Sequence, residues 1–399
     1  MKKYLKVMFS ILILLILIVI CLYVYPVIHY GFHQIKIRET LSENEYHEIP
    51  FTYGSNNHFQ INCSINDVKK NLLIDTKATG LLREDSILKM GGEYWGKLPF
   101  CSSNAYGIKE RMDIYSFNNI CLENIKIKYP LFSCVKRSNL IYDAIEDGVW
   151  GSDLLAIGCW KFDTENKMLK LFHYNNQQIL EKESNGLVKI KGGLEDNGIT
   201  VYVNEIKQNC RFTLDLGYSG TIEVDNRTAD LLMSKINYKQ IYSILDNGMR
   251  DTVTIFEDVQ VSIAGINVEK CQVANIRSVN RNYIGAKFMQ NFNFILIYGE
   301  EKGHLCKHLY LQKRAKGTLN FQCQYRISKY GMKIERKNGN FILTSLMKNS
   351  KAEQIGLRIG DQIIKINDLS EEFIDDMMLD SLNQLKITVK NRGEFKLSM

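Results

Sequence analysis

The sequence predicts a mainly β chain in which two similar lobes are preceded by one transmembrane helix and followed by a smaller domain. Three observations lead to this prediction. A β-prone run that ends in an Asp turn occurs twice, at Asp75 and again 140 residues later at Asp215. A stretch of 22 residues without charge, 7–28, lies near the N-terminus. From Gly317 onward, short strand-like runs alternate with Gly-containing turns.

Both copies of the repeat carry a strand into a tight turn. The first, 71–80, reads NLLIDTKATG, and the second, 211–220, reads RFTLDLGYSG. A strand that delivers a carboxylate into a Gly-bearing turn leaves the acid at the edge of a cleft. Two carboxylates that lie close together cannot both ionise easily. One can then act as general base towards water while the other donates a proton to a substrate carbonyl.

At these residues the chain resembles the retropepsin-like and pepsin-like aspartic peptidases, whose active-site strands read Asp-Thr/Ser-Gly-Ala/Ser/Thr. The resemblance implies that Asp75 and Asp215 are the catalytic residues and that the residues around them support the turns, namely Thr76, Lys77, Ala78, Thr79, Leu216 and Gly217. Two positions depart from the family pattern. Lys77 replaces a Gly, and Leu216 replaces a Thr or Ser. A catalytically degenerate protein that binds peptides as a scaffold therefore remains an open alternative to an active endopeptidase.

The surroundings of the two Asp residues also repeat in order. Each copy has, in order, a hairpin before the Asp, paired strands after it, an apolar-apolar-Gly element, a short helical run and a closing hairpin. In the first copy these five features lie at 59–74, 120–127, 149–151, 152–158 and 161–172. In the second copy they lie at 199–214, 259–263, 283–285, 286–291 and 293–311. In the peptidase family the Gly element crosses behind the catalytic turn, so Gly151 and Gly285 are predicted to support the site. A period near 140 residues indicates two lobes and not a solenoid, and the family implies closed, barrel-like β lobes.

The segments after the Asp turns are candidate flaps. The family keeps a flap over its cleft, and 100–115 and 242–255 occupy that position, with Asp246-Asn247-Gly248 as a predicted hairpin tip. Ordinary surface loops are the alternative for both segments.

The C-terminal segment resembles a PDZ domain. Gly331-Met332-Lys333-Ile334 corresponds to the carboxylate-binding loop Gly-Leu-Gly-Phe of that family, and 350–368 carries the matching core motifs. The resemblance implies that backbone N–H groups of Met332 to Ile334 hold the C-terminal carboxylate of a peptide that extends the sheet. Because each domain has its own apolar pattern, deletion of 318–399 is expected to leave the two lobes folded.

The N-terminal residues predict a membrane anchor. Lys2, Lys3 and Lys6 precede the uncharged stretch 7–28, which has about the 20 residues that a membrane-spanning helix needs. Basic residues on the N-terminal side favour an N-inside orientation, so the rest of the chain is expected outside the cytoplasm, in the periplasm or extracellular space. A cleaved signal peptide is the alternative. The polar residues 31–50 are predicted to form a stalk or short helix.

Composition excludes several other functions. The net charge of +7 is spread along the chain without a basic block, which predicts no nucleic-acid partner. No Cys-x-x-Cys pair is present, and the peptidase fold implies neither a metal nor an organic cofactor. The predicted organisation is an anchor at 1–30, a stalk at 31–50, lobe 1 at 51–180, lobe 2 at 181–316 and a PDZ domain at 317–399. The expected partners are protein or peptide substrates, C-terminal peptides and the membrane.

Overall fold

The structure is a computed structural model. It describes the chain except for residues 1–7, 10, 15–23, 55–56, 99–100, 104–108, 140, 143–144, 191, 193–196, 245–249, 299, 302–303, 306–307, 323–326, 338, 368–375 and 399. Of the described residues, 47% lie in strands and 18% in helices, which confirms the predicted mainly β class. It divides into two compact units: unit 1 comprises 1–189 and 293–312, and unit 2 comprises 190–292 and 313–399.

The elements follow in chain order. The first part of the chain forms α1 (Tyr25–Lys36), a 3₁₀ helix (Ile37–Thr40), β1 (Tyr46–Tyr53), β2 (Phe59–Ile65), β3 (Val68–Ile74), β4 (Leu81–Arg83), α2 (Glu84–Lys89), β5 (Glu93–Lys97), β6 (Ser102–Ser103), β7 (Lys109–Glu110), β8 (Asp113–Ser116), β9 (Ile120–Leu122), β10 (Ile125–Lys126), β11 (Leu131–Val135), β12 (Val149–Trp150), α3 (Ser152–Leu155), β13 (Cys159–Asp163), β14 (Met168–Phe172), α4 (Gln177–Ser184) and β15 (Val188–Ile190). The second part forms β16 (Ile199–Val203), β17 (Gln208–Asp215), β18 (Ile222–Glu223), α5 (Asn226–Met233), β19 (Tyr238–Ile244), β20 (Arg250–Ile263), β21 (Ile266–Ile276), β22 (Tyr283–Gly285), α6 (Ala286–Met289), β23 (Phe292–Ile297), β24 (Glu300–Glu301), β25 (His304–Leu305), β26 (His308–Lys313), β27 (Met332–Lys337), β28 (Asn340–Met347), α7 (Lys351–Gln354), β29 (Gln362–Ile366), α8 (Asp376–Ser381), β30 (Gln384–Val389) and β31 (Gly393–Ser398).

The strands around the two Asp turns have the same connectivity. In unit 1, β12 lies parallel to β3 and antiparallel to β4, and β4 lies parallel to β11. In unit 2, β22 lies parallel to β17 and antiparallel to β18, and β18 lies parallel to β21. The predicted internal repeat is therefore present at the level of strand pairing.

The strands of the second repeat close on themselves. The described strands run in the order β16-β17-β22-β18-β21-β20, and β20 pairs again with β16. Apolar side chains point into this ring, among them Phe212, Ile284 and Val273, which are almost fully buried. The barrel-like architecture expected of the second lobe is thus observed.

Unit 1 contains a further sheet with strands from both ends of the repeat region. Its order is β26-β23-β13-β14-β1, so the hairpin predicted to close lobe 2 contributes its strands to unit 1. The Phe162 ring on β13 stacks on the Phe294 ring on β23, with centroids 4.3 Å apart. The predicted lobe 2, 181–316, therefore differs from unit 2, which lacks 293–312. That segment belongs to unit 1 because β23 pairs with β13.

The residues predicted as a stalk are mostly built into unit 1. Tyr30, Ile37 and Leu41 are buried, and β1 pairs with β14 and β2. For 31–50 the prediction was a stalk or a short helix; these residues form the end of α1, the 3₁₀ helix and the first part of β1, with Ile37, Leu41 and Ile49 buried. Within the described residues, no helix combines the length and apolar composition that crossing a membrane requires. Of the anchor predicted at 7–28, residues 7, 10 and 15–23 lie outside the described residues.

Both candidate flaps contain antiparallel hairpins. In unit 1, β5 pairs with β8, and β6 pairs with β7 further out. In unit 2, β19 pairs with β20 from Tyr238–Phe256 to Ile244–Arg250. The predicted tip at Asp246-Asn247-Gly248 lies outside the described residues.

The C-terminal segment has its own core but shares a sheet with the second lobe. Buried residues on β27 to β31 form one cluster around Leu343 and Ile387. Strand β28 also pairs with β19, and the Ser243 and Ser345 hydroxyl groups lie 3.0 Å apart in a buried contact. The Phe321 ring packs 5.2 Å from that of Phe288, and the Phe321 carbonyl accepts a hydrogen bond from the Gln272 N–H.

These contacts change the expected effect of truncation. Deleting 318–399 removes Phe321 from the second lobe, whereas deleting 328–399 retains it. Burial of a Phe side chain typically contributes several kcal/mol, so the chain ending at 327 should be about 3 kcal/mol more stable to denaturant than the chain ending at 317. Both truncations remove β28 and expose the same edge of β19, so each serves as the control for the other. Equal stability of the two chains would mean that Phe321 contributes nothing to lobe 2.

Candidate active site

The Asp75 turn is stabilised by the backbone that follows it. Asp75 comes directly after β3, and its N–H donates to the Trp150 carbonyl at 3.1 Å. Its Oδ1 accepts hydrogen bonds from the N–H groups of Lys77, at 2.6 Å, and Ala78, at 2.9 Å. Thr76 is buried beside it, whereas the Lys77 side chain is exposed. The turn thus fixes one carboxylate oxygen of Asp75.

The Gly151 element crosses directly behind this turn. A Cβ atom on Gly151 would lie 2.1 Å from the Thr79 carbonyl carbon and 2.4 Å from the Gly80 nitrogen. The Ser152 N–H and hydroxyl both donate to the Ala78 carbonyl, at 2.7 and 3.0 Å. Glycine is required at 151 because two backbone segments touch there, and this contact holds the turn in place.

Asp153 is part of this support, although sequence reasoning missed it. Its Oδ1 accepts hydrogen bonds from the N–H groups of Gly80, at 2.7 Å, and Leu154, at 2.9 Å. Burial raises its pKa to about 7, although these backbone donors lower it. The available signal was its position two residues after the Gly of the apolar-apolar-Gly element.

The pH dependence of stability should report on Asp153. Its carboxyl group keeps its proton up to about pH 7 when folded, but its ordinary pKa is 3.8. The folded state therefore binds more protons between these values, and the free energy of unfolding should fall as pH rises from about 4 to about 7. Each pKa unit corresponds to about 1.4 kcal/mol, so Asp153→Asn should remove up to about 4 kcal/mol of this decline. Denaturant titrations between about pH 4 and pH 7 measure the free energy of unfolding, with Asp230→Asn, at an exposed carboxylate, as control. If the free energy of unfolding of Asp153→Asn falls with pH as steeply as that of the wild type, the prediction is wrong.

The Asp215 turn in unit 2 repeats the same design with fewer polar groups. Asp215 ends β17 and is 9% exposed, and its Oδ1 accepts the Gly217 N–H at 3.0 Å. Leu216, at the position of Thr76, is completely buried. An apolar contact therefore occupies the place where the first turn has a hydroxyl group.

Gly285 crosses behind this second turn as Gly151 does behind the first. A Cβ atom on Gly285 would lie 2.2 Å from the Gly220 carbonyl oxygen. The Gly285 N–H donates to the Thr221 carbonyl at 2.7 Å, and the Ala286 N–H donates to the Tyr218 carbonyl at 2.7 Å. The predicted site residues are thus grouped in two sets, one around Asp75 in unit 1 and one around Asp215 in unit 2.

Burial dominates the electrostatics of Asp75. Burial raises the pKa of this carboxyl group. The hydrogen bonds from the N–H groups of Lys77 and Ala78 and the positive charges of His58 and Lys77 lower the pKa, but by less. From the sequence alone, the positive charge of Lys77 beside Asp75 would be expected to favour the ionised carboxylate. The structure gives the opposite balance, because the exposed ammonium group has less effect than the loss of solvent around the carboxylate.

Tyr298 is a second residue near Asp75 that sequence reasoning missed. Its side chain is buried, and its hydroxyl group has no hydrogen-bond partner among the described residues. Burial and the charge of Asp75 raise its pKa. It follows β23, a strand of the second repeat, so only the joining of 293–312 to unit 1 brings it near Asp75.

A buried ion pair lies near Asp215. The Arg281 Nε donates to Glu223 Oε1 at 3.2 Å, and its guanidinium group lies 4.1 Å from the centre of the Tyr283 ring. Burial raises the pKa of Glu223 to about 7, although Arg281 lowers it. Burial lowers the pKa of the Arg281 guanidinium group, whereas the negative charges of Glu223 and Asp215 raise it. The net effect is a raised pKa. Neither residue was predicted, since they lie 58 positions apart in the sequence.

The predicted carboxylate-binding loop, 331–334, enters β27 along an open edge. Among the described residues, β27 pairs with β28 alone. Two hydrogen bonds connect the turn before this loop to α8 and to Leu382, which follows α8. The Lys329 N–H donates to the Asp380 carboxylate at 2.7 Å, and the Tyr330 hydroxyl donates to the Leu382 carbonyl at 2.5 Å. The Lys333 ammonium group lies 2.6 Å from a Glu335 carboxylate oxygen.

Comparisons with known proteins find similar solved structures but no matching family or curated protein. Among solved structures, the chain is similar to the crystal structure of the aspartic proteinase from Irpex lacteus, at 11% identity and a TM-score of 0.44. The matched region covers 68% of this chain and 98% of that one.

Proposed function

We propose that this protein is an aspartic-type endopeptidase in which Asp75 and Asp215 together activate water. The observation that supports this most strongly is the repetition of one support around both carboxylates. In each turn, Oδ1 accepts the N–H of the second residue after the Asp, and a Gly element presses on the turn from behind. Two equivalent, fixed carboxylates suit a symmetric pair that shares one proton.

The proposed reaction begins with one ionised and one protonated carboxyl group. The ionised group takes a proton from water as the water oxygen bonds to the substrate carbonyl carbon, and the other group gives its proton to the carbonyl oxygen. In the second step the carboxyl group that took the proton from water gives it to the amide nitrogen, the other carboxylate takes a proton from a hydroxyl group of the tetrahedral intermediate, and the C–N bond breaks to release an acid and an amine. The raised pKa of Asp75 is consistent with its carrying the proton at the start.

A peptide-binding protein without catalysis is the second candidate function. It is favoured by Leu216, which is buried where the first turn has Thr76, and by Lys77 beside Asp75. The two functions differ in one measurable property. The purified full-length chain in detergent should digest an unfolded protein between about pH 3 and pH 7. Failure of the wild type to cleave any substrate that it demonstrably binds would establish the scaffold function instead.

We also propose that residues 327–398 form a PDZ-like module that binds C-terminal peptides. The order of elements from β27 to β31, the open edge of β27 and the braced loop before Gly331 support this. A ligand carboxylate would compete with Glu335 for Lys333 while the backbone N–H groups of 332–334 receive it.

Amidation of the ligand tests this module. A peptide with a free C-terminus should bind at least about tenfold more tightly than its amidated form, because a charged hydrogen bond contributes about 1.5–3 kcal/mol. Isothermal titration of the full-length chain with both forms of a peptide selected from a random C-terminal library measures the ratio. Equal affinities would show that carboxylate capture does not occur.

The remaining part of the proposal is a membrane location. The uncharged stretch 7–28 behind Lys2, Lys3 and Lys6 supports a retained anchor with the two units outside the cytoplasm. A reporter that works only in the cytoplasm, fused after Met399, should remain silent. A bright reporter would overturn this topology, and a mature N-terminus near residue 30 would replace the anchor with a cleaved signal.

A further inference from the structure

Helix α1 has two faces of different character. On one face, Tyr30 is buried in a cluster with Leu73 and Val149 of lobe 1. On the same side, the His29 ring stacks on the Trp95 ring at 4.8 Å, and the His33 ring meets it edge-on at 4.9 Å. This face attaches the helix to the lobe.

The opposite face is apolar and exposed. Its large side chains have between 43% and 64% of their surface exposed and follow the spacing of a single helical stripe: Val24, Val27, Ile28, Phe32 and Ile35. A Cβ atom on Gly31, between them, would meet nothing within 4 Å. A contiguous exposed apolar stripe of this size marks a surface that another apolar partner covers.

The neighbouring sequence indicates which partner this is. The stripe continues directly from the stretch 7–23, which contains no charge, and the described part of that stretch is also exposed, including Met8 and Phe9. The first basic residues after the stripe, Lys36 and Arg38, lie at its C-terminal end, and the Lys36 ammonium group lies 5.5 Å from the centre of the Phe32 ring. Basic groups at the border of an apolar helix face suit contact with lipid headgroups.

We propose that the stripe from Val24 to Ile35 lies in the interface of a lipid bilayer while the other face of α1 holds lobe 1. The lobe is then held at the membrane surface by a helix and not by a flexible stalk. Because Trp95 belongs to β5, the β5–β8 hairpin is held on the same helix, close to the bilayer. This inference rests on the anchor proposed above but does not depend on whether Asp75 and Asp215 are catalytic.

Fluorescence quenching by lipid tests the proposal. The full-length chain is reconstituted into vesicles of phosphatidylcholine and phosphatidylglycerol whose acyl chains are brominated close to the headgroups. Single variants Phe32→Trp and Ile35→Trp, which lie beyond the proposed anchor, are compared with Leu88→Trp, which places a Trp at an exposed apolar position elsewhere on lobe 1. Emission of the wild type, with its three native Trp residues, is subtracted.

The stripe variants should be quenched about twofold or more relative to Leu88→Trp, since an interfacial helix buries its apolar face 5–10 Å below the surface. Quenching no greater than that of Leu88→Trp would overturn the proposal. A Leu14→Trp variant in vesicles brominated deep in the acyl chains separates this from failure of the anchor, because absence of quenching in that variant alone would contradict the anchor. If the stripe residues are shielded from aqueous iodide but not quenched by bromine, another protein copy covers them and the proposal is wrong.

Discussion

Replacing either Asp75 or Asp215 with Asn should lower the rate of peptide-bond hydrolysis by roughly 10²–10⁴-fold or more, the typical contribution of a positioned general acid or base. Asn keeps the size of the side chain and an oxygen that accepts the N–H of Lys77 or Gly217. The turns should therefore stay folded while the exchangeable proton is lost. If the two carboxyl groups act as the proposed pair, the double variant should lose little more than each single variant.

Rates of substrate digestion across pH 3–7 measure this effect. The control is Asp230→Asn, since that carboxylate is exposed and pairs with Arg277. Lys77→Gly should shift the pH profile only slightly, because burial already outweighs the Lys77 charge in setting the pKa of Asp75. Hydrolysis within about tenfold of wild type in either Asn variant would exclude the two-Asp mechanism.

Replacing Gly151 or Gly285 with Ala should destabilise the protein by about 3 kcal/mol or more and abolish activity with it. The added methyl group would lie 2.1 Å from a backbone carbon at 151 and 2.2 Å from a backbone oxygen at 285. No side-chain rotation can relieve a contact with backbone, so the turn that carries the Asp must move.

Thermal and denaturant unfolding measure the loss of stability. Gly31→Ala is the matched control, because Gly31 is helical and its added methyl group meets no atom within 4 Å. That change should be neutral or stabilising by about 0.5–1 kcal/mol, since Ala favours the helix over Gly. Unfolding of Gly151→Ala and Gly285→Ala at the wild-type midpoint would show that the Gly elements do not hold the turns.

The sequence by itself determined the local features whose cause is local. Alternation and Gly turns placed the hairpins before Asp75 and Asp215, and the resemblance to the peptidase family implied that the elements at Gly151 and Gly285 cross behind the turns. Their repetition in the same order was enough to predict two related lobes. The hairpins needed nothing longer than two strands and their turn, because they depend on side-chain alternation and on turn residues.

Tertiary structure alone decided which distant segments meet. The 293–312 hairpin joins unit 1 by pairing along β13, and this brings Tyr298 near Asp75. Tertiary packing also attached the residues predicted as a stalk, buried Asp153 behind the first turn and joined Glu223 to Arg281. Sequence periodicity states which residues will be buried but not against which partner. The pKa of a carboxyl group depends on that partner and on the solvent it excludes.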